Sequence, residues 1–498
     1  MTLLEKIKQH AMTTPEKTAL TGQDMVVDYT SLLDEVCSLS HYLKTENCRV
    51  TGLYMDNTPS WVISDLAVLN AGSCLVPLPP FFTPQQIKHV MHLSGMDSII
   101  TDNPELIRRM TGDLALPESG QFEVMGEQLN LIRTRVNSRS IPENVVKITF
   151  TSGTTGEPKG VMLTWRQTQA TINSLYDNVH ATCDDIHLPL MPLAVLLENL
   201  AGVYVSLWAG ATTILPGLEA IGLSGAVGLN TGKMLKGISR YRPSTLIMTP
   251  QILLAMTEAT QQKPGSLDSV RFIALGGAPV SRTLLDRAEI LGLPVYEGYG
   301  LSECASVTTL NTPDFNRKGS VGKPLPHIKL GISDSGEVLI FNHDFSGYLG
   351  QPYETGHQVW HTGDLGYLDD DGYLHLTGRR RNVFITSMGR NISPEWVESE
   401  LVLSPEIAQV AVFGEARPRN VAVIVPARFC DKTLIAKAIE KANRKLPDYA
   451  QISHIVIATE PFTPMNQQLS GTGRNRREAI YQTYERQIEQ FYLQEQLS

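Results

Sequence analysis

The sequence predicts an α/β protein built on parallel sheets and divided into two or more domains, and three observations carry that class. Short β-branched runs alternate with helical stretches, glycine- and hydroxyl-rich loops follow several of the runs, and 498 residues with 42% apolar content exceed what one hydrophobic core holds. Taken in order, residues 50–54, 98–101 and 212–215 read as short buried strands, and residues 60–69 as a helix between two of them. Strand and helix in alternation imply crossover connections and hence parallel pairing.

Residues 145–150 form a further strand by their β-branched and aromatic content. It runs into Thr151-Ser-Gly-Thr-Thr-Gly-Glu-Pro-Lys-Gly160, a loop of hydroxyls, glycines and one lysine. Glycine lets backbone N–H groups encircle an anion, and Lys159 adds a charge, so a polyphosphate is the ligand that suits it. A Walker-type loop needs four residues between its glycines and a Ser or Thr after the lysine, whereas here Gly160 follows Lys159. A cluster of this kind is also found as a plain surface turn.

Within residues 266–300 the pattern is compact: a strand over 270–275, the Gly276-Gly277 turn, a helix capped by Ser281, and a strand over 294–296. Two glycine loops therefore leave strand ends, where open α/β sheets bind ligands. From about Gly319 to Thr377 short runs with glycine turns predict antiparallel hairpins. The aspartates 369–371 lack EF-hand spacing, and a turn ending at Gly372 needs no ion. Arg379-Arg-Arg-Asn382 marks the change into a smaller unit of about 115 residues.

The net charge of −9 and a pI near 5.8 argue against a nucleic-acid binder. Six scattered cysteines without a CxxC pair, and an N-terminus lacking a basic segment before an apolar core, point to a reduced cytoplasmic protein. The most apolar region, residues 188–215, is broken by Glu198, Asn199 and glycines and reads as core or ligand wall, with at most peripheral membrane contact.

Four motifs occur in a set order: residues 151–160, Gly276-Gly-Ala-Pro279, Tyr296-Glu-Gly-Tyr-Gly-Leu-Ser-Glu303, and His361-Thr-Gly-Asp-Leu-Gly366 followed by Gly378-Arg379. Together they resemble the adenylate-forming enzymes of the ANL superfamily, across nearly the whole chain. Among these, Leu190-Met-Pro-Leu-Ala-Val-Leu-Leu-Glu-Asn199 is most similar to fatty acyl-CoA synthetases. The resemblance implies a large N-terminal adenylation domain over 1–378, with parallel α/β subdomains and a small antiparallel β-barrel region. It further implies a hinge at 379–382 centred on Arg381, and a mobile α+β domain over 383–498.

Roles follow residue by residue from the same resemblance. Thr151, Ser152, Gly153, Thr154, Thr155, Gly156 and Lys159 would hold the outer phosphates of ATP. Gly277, Ala278 and Pro279 would line the adenine, with Tyr299 and Gly300 beside it. Ser302 would contact the α-phosphate, Glu303 would position Mg2+, Asp364 would accept the ribose hydroxyls, and Arg379 would add a donor toward ribose or phosphate. Val195, Asn199 and Gly298 would face the acyl group, and Gly389 the pantetheine.

Two positions depart from the family pattern. The lysine expected in the closing motif stands here as Arg474, with Arg476 the alternative in a shifted register, and a histidine expected at the acyl pocket stands as Val195. The first keeps a permanent cation but changes its shape, and the second makes the pocket more apolar. The implied reaction is activation of a medium- or long-chain fatty acid, or another organic acid, to an acyl-adenylate, with transfer to CoA. A carrier-protein phosphopantetheine as acceptor, or a non-catalytic nucleotide binder, are the alternatives.

Overall fold

The computed structural model describes the whole chain except residues 152–157, 225–227, 342–343, 353–358, 428–429, 471–472 and 497–498. Among the described residues two nine-stranded mixed sheets form the bulk of the N-terminal part. In one, Ile186–His187, Thr245–Met248, Phe272–Leu275 and Val295–Tyr299 lie side by side in parallel. In the other, Val145–Thr151, Cys74–Pro77, Val50–Tyr54 and Ser98–Thr101 are the parallel centre. Antiparallel strands occupy the edges of both.

Central parallel strands are covered on both faces, which is why Cys74–Pro77 is buried throughout. The helix Pro59–Asn70 starts at Thr58, whose hydroxyl accepts from the Trp61 N–H, and proline occupies its first turn. It belongs to the largest apolar cluster, with Leu20 from one sheet and Leu53 and Leu75 from the other. Burial all round explains why its sequence shows little amphipathic contrast.

The strand expected over 294–296 extends instead over Val295–Tyr299. Gly298 and Tyr299 pair antiparallel with Leu310 and Thr309, so tertiary pairing prolongs what local propensity leaves short. The Ser281 cap is as read: its hydroxyl accepts from the Leu284 N–H, opening the helix Arg282–Ile290.

Lys329–Ile332, Glu337–Phe341, Val359–Leu368 and Leu374–Arg379 make a four-stranded antiparallel sheet. At its turn Asp369 accepts from the N–H groups of Asp371 and Tyr373, and Asp369 and Asp371 together bind the Arg317 guanidinium at 2.6 and 2.5 Å. Those carboxylates brace a turn.

From Phe384 onward the chain packs on two apolar clusters of its own, on either face of the strands Ile407–Phe413, Asn420–Pro426 and Ile452–Ile457. Helices Pro394–Leu401 and Lys432–Asn443 cover one face and Arg477–Gln496 the other. Contact with the N-terminal part is made by Leu403, which joins the cluster behind Thr245–Met248, and by the Thr283 hydroxyl, which donates to Glu400 at 3.3 Å.

Candidate active site

A cleft of about 2950 Å³ runs between the large N-terminal part and residues 383–498. On one wall Val145–Thr151 and Lys159–Thr164 form a hairpin in which Thr151 pairs with Lys159. The expected phosphate contacts of Ser152, Gly153, Thr154, Thr155 and Gly156 fall outside the described residues. Thr151 and Lys159 flank that loop on the cleft wall, and the Lys159 ammonium lies 5.4 Å from the centre of the Tyr348 ring.

Tyr348 is also the group that steadies Glu303. Its hydroxyl donates to Glu303 Oε1 at 2.6 Å, while Gln167 Nε2 donates to the Glu303 backbone carbonyl at 2.6 Å. Burial and the neighbouring Glu303 charge push the Tyr348 phenol well above its usual range, so it remains a donor. Neither Tyr348 nor Gln167 belongs to a recognisable motif, and no local signal marks either one. Ser302 stands beside Glu303 in a short 3₁₀ turn on the cleft wall.

The parallel strands deliver the next group. Gly277 follows Phe272–Leu275 with φ +85°, a conformation that favours glycine, and opens the cleft-lining run through Ala278 and Pro279. Tyr299 ends its strand with its hydroxyl donating to Asp364 Oδ2 at 2.7 Å, and Arg379 Nε meets Asp364 Oδ1 at 2.9 Å. Asp364 and Arg379 are register partners on adjacent strands, so a residue pair 15 apart in sequence arrives as one unit. Gly300 is forced by packing: a Cβ there would lie 1.7 Å from the Ser306 carbonyl oxygen.

Arg474 comes from the far end of the chain and donates from Nη2 to the Gly277 carbonyl at 2.8 Å. Its loop is tied back by mutual bonds with Ser470, and Asn475 donates to the Val410 carbonyl at 2.7 Å. Arg477 grips Glu398 with two bonds of 2.6 and 2.7 Å. The Arg474 side chain is open to solvent within the cleft although protein surrounds it on most sides. That confinement, with Arg379 and Arg381 nearby, lowers its proton affinity, and Asp364 opposes the shift. It is Arg474 rather than Arg476 whose guanidinium reaches the Gly277 strand end.

Arg381 lines the cleft next to Arg379. Gly389 lies elsewhere: it turns the exposed hairpin of Phe384–Ile385 and Asn391–Ile392 with φ +71°, and a Cβ there would meet nothing within 4 Å. The arrangement thus brings Arg474 in and leaves Gly389 out.

Glu297, on the Tyr299 strand, is 7% exposed and accepts from the Gly319 N–H at 2.9 Å. Burial pushes its carboxyl up to about 7. The folded protein then keeps this proton up to about pH 7, whereas the unfolded chain releases it near the ordinary value of 4.5, so stability falls as pH rises through that window. Glu297→Gln is expected to match the parent at pH 4.5 and to exceed it by roughly 3 kcal/mol at pH 8. Urea unfolding at the two pH values checks this, and equal pH slopes would refute it.

Inward, the cleft continues between the first sheet and the helices over it. Thr245, Ile247, Phe272 and Ala274 line it, while the alternate residues Met248 and Ile273 belong to the core behind. Val195 is on this wall. Asn199 is not: its amide donates to Asp65 Oδ2 at 2.9 Å and its oxygen accepts from Lys147, in a fully buried network with Tyr204. The expectation that Asn199 faces the acyl group is corrected, because buried Asp65 and Lys147 claim its polar atoms.

Parallel sheets whose strand ends form a cleft, closed by a separate C-terminal unit, are the build of an adenylate-forming ligase. The profile described as AMP-binding enzyme matches residues 7–349, and that of the AMP-binding enzyme C-terminal domain matches residues 381–496. The chain belongs to the AMP-binding enzyme family and is an enzyme.

Among its relatives is long-chain-fatty-acid–CoA ligase 6 of Rattus norvegicus, 25% identical over 573 residues, covering 91% of this chain and 80% of that one. The anthranilate CoA ligase AuaEII in complex with anthranoyl-AMP shares the fold with a TM-score of 0.79, at 20% identity and 97% coverage of both chains. So does the o-succinylbenzoate CoA synthetase of Bacillus subtilis in complex with ATP and magnesium ion, with a TM-score of 0.72, 22% identity, and 95% and 98% coverage. No helix among the described residues is long and apolar enough to cross a membrane.

Proposed function

We propose that this enzyme joins an apolar carboxylic acid, in the first instance a medium- or long-chain fatty acid, to the α-phosphate of ATP and then transfers the acyl group to the thiol of CoA. Residues 1–378 act as the adenylation domain, 379–382 as the hinge and 383–498 as the mobile unit. One observation carries the reading: Arg474, from the last tenth of the chain, reaches the strand end at Gly277 in the same cleft as Lys159, Glu303 and the Tyr299–Asp364–Arg379 group. The apolar inner wall supports the substrate class, and the fatty-acid ligase among the relatives agrees with it.

A carboxylate is a poor acyl donor because it is anionic and has no good leaving group. Attack of its oxygen on the α-phosphorus expels pyrophosphate and leaves a mixed anhydride, from which a thiol then displaces AMP. Both steps concentrate negative charge on oxygens, so positioned cations supply most of the acceleration. Lys159 meets the outer phosphates, Asp364 accepts from the ribose hydroxyls, and the Arg474 fork spans substrate carboxylate and α-phosphate. Ser302 donates to the α-phosphate.

Among the described residues no three His, Cys, Asp or Glu side chains converge on a metal site. Glu303, whose carboxylate Tyr348 holds in place, is the residue that would hold a Mg2+. Bound there, such an ion would supply positive charge against the phosphates.

Pyrophosphate release should be followed with ATP, magnesium and a panel of fatty, aryl and steroid-derived acids, then thioester formation with CoA. Fatty acids are expected to give both products, and silence with every acid would sink the reading.

A further inference from the structure

The sheet wall of the inner cleft carries a polar interruption, and it is a built one. His187 and Thr245 are neighbours on adjacent strands and both line the cavity. His187 Nδ1 and Thr245 Oγ1 are 3.0 Å apart, and His187 Nε2 is 2.8 Å from Glu198 Oε1. Glu198 Oε2 in turn accepts from the Leu190 N–H at 3.1 Å. Both ring nitrogens of His187 and both carboxylate oxygens of Glu198 are therefore spent.

The hydroxyl of Thr245 is not. It has one donor and two acceptor sites, of which His187 takes one in either tautomer. Its neighbours along the sheet wall, Ile247, Phe272 and Ala274, offer no polar group. The helical wall opposite presents Leu175, Val179, Ala201 and Val205, with Ser206 as its polar member.

The element that holds His187 is itself unusual. Residues Glu198–Tyr204 form a π-helix, a rare conformation that is frequent at functional sites. Gly202 in it lies so close that a Cβ would stand 2.4 Å from His187 Nε2 and 2.5 Å from Glu198 Oε1. The backbone is shaped around the His187–Glu198 pair. Burial raises the Glu198 carboxyl above its usual range, and the bond from His187 opposes that shift.

Register gives the depth. Thr245 pairs with Phe272 and Met248 with Leu275, so Thr245 lies three residues inside the strand ends, about 10 Å. An extended chain advances roughly 1.25 Å per carbon–carbon bond, which places this level about eight bonds from a carboxylate at the strand ends.

We propose that Thr245, oriented by His187 and Glu198, is a specificity-determining residue that selects acids carrying a hydroxyl or oxo group near the middle of the acyl chain. The inference rests on the ligase reading above and narrows its substrate class. A plain chain passes Thr245 without gaining a bond, whereas a mid-chain oxygen gains one in a dry wall and would otherwise be buried without a partner.

The test compares dodecanoic acid with derivatives bearing a single hydroxyl or oxo group at successive mid-chain positions, scored as kcat/KM for pyrophosphate release. The parent enzyme is expected to prefer at least one oxygenated acid by about tenfold. Thr245→Val, isosteric and without the hydroxyl, should abolish the preference or turn it toward the plain acid, and Thr245→Ser should keep it. A parent enzyme that favours the plain acid over every derivative, or a Thr245→Val enzyme that keeps the preference, overturns the inference. Turnover of plain acids alone overturns this proposal only, while silence with all acids overturns the ligase reading and this one with it.

Discussion

Arg474→Ala is expected to slow pyrophosphate release by a factor of about 10² to 10³, the usual cost of removing one positioned group that stabilises developing charge. Thioester formation from a supplied acyl-adenylate should stay close to the parent rate. The asymmetry follows from geometry: Arg474 touches the Gly277 strand end only because its loop is tied down by Ser470, Asn475 and the Arg477–Glu398 clamp. On the reading proposed above, the unit carrying that loop turns in the second half-reaction to present the Gly389 hairpin, and Arg474 is then no longer needed. Arg474→Lys should recover part of the loss, because it restores the charge but not the planar fork proposed to span carboxylate and α-phosphate. Equal rates in both half-reactions for Arg474→Ala would remove the residue from the chemistry.

Asp65→Ala is expected to destabilise the protein by about 3–5 kcal/mol, read from urea unfolding at neutral pH. Asp65 Oδ1 stands 3.1 Å from the Lys147 ammonium, and neither side chain is more than 1% exposed. Oδ2 accepts from Asn199 and from the Tyr204 hydroxyl at 2.9 and 2.8 Å. Removing Asp65 strands a buried cation and two donors. Burial already lowers the Lys147 amine from its usual range and Asp65 opposes that shift, so without Asp65 the amine sheds its proton more readily. Asp65→Asn keeps an acceptor and should cost less than Asp65→Ala. If the two variants melt alike, charge compensation is not what the network supplies.

Much of the cleft was legible in the chain because its pieces are local motifs. A strand followed by Gly276-Gly277 and a Ser281-capped helix is specified by neighbours in sequence, and it folded as read. Asp364 and Arg379 belong to one hairpin, so their pairing needed only the antiparallel pattern. Tyr348 was invisible, since its site partners Glu303 and Lys159 lie on distant segments and nothing around it marks a site. Asn199 misled for the opposite reason: it sits in a motif yet is turned away by Asp65 and Lys147, which are far off in sequence.

Residue order alone determined the α/β class, the succession of glycine loops at strand ends and the type of side chain offered at each, because these depend on short-range propensity and periodicity. Only the tertiary structure decided which groups meet: that Arg474 rather than Arg476 reaches Gly277, that Tyr348 holds Glu303, and that His187 with Thr245 interrupts an apolar wall. Such contacts join segments tens to hundreds of residues apart, and no local preference encodes a distance that only packing sets.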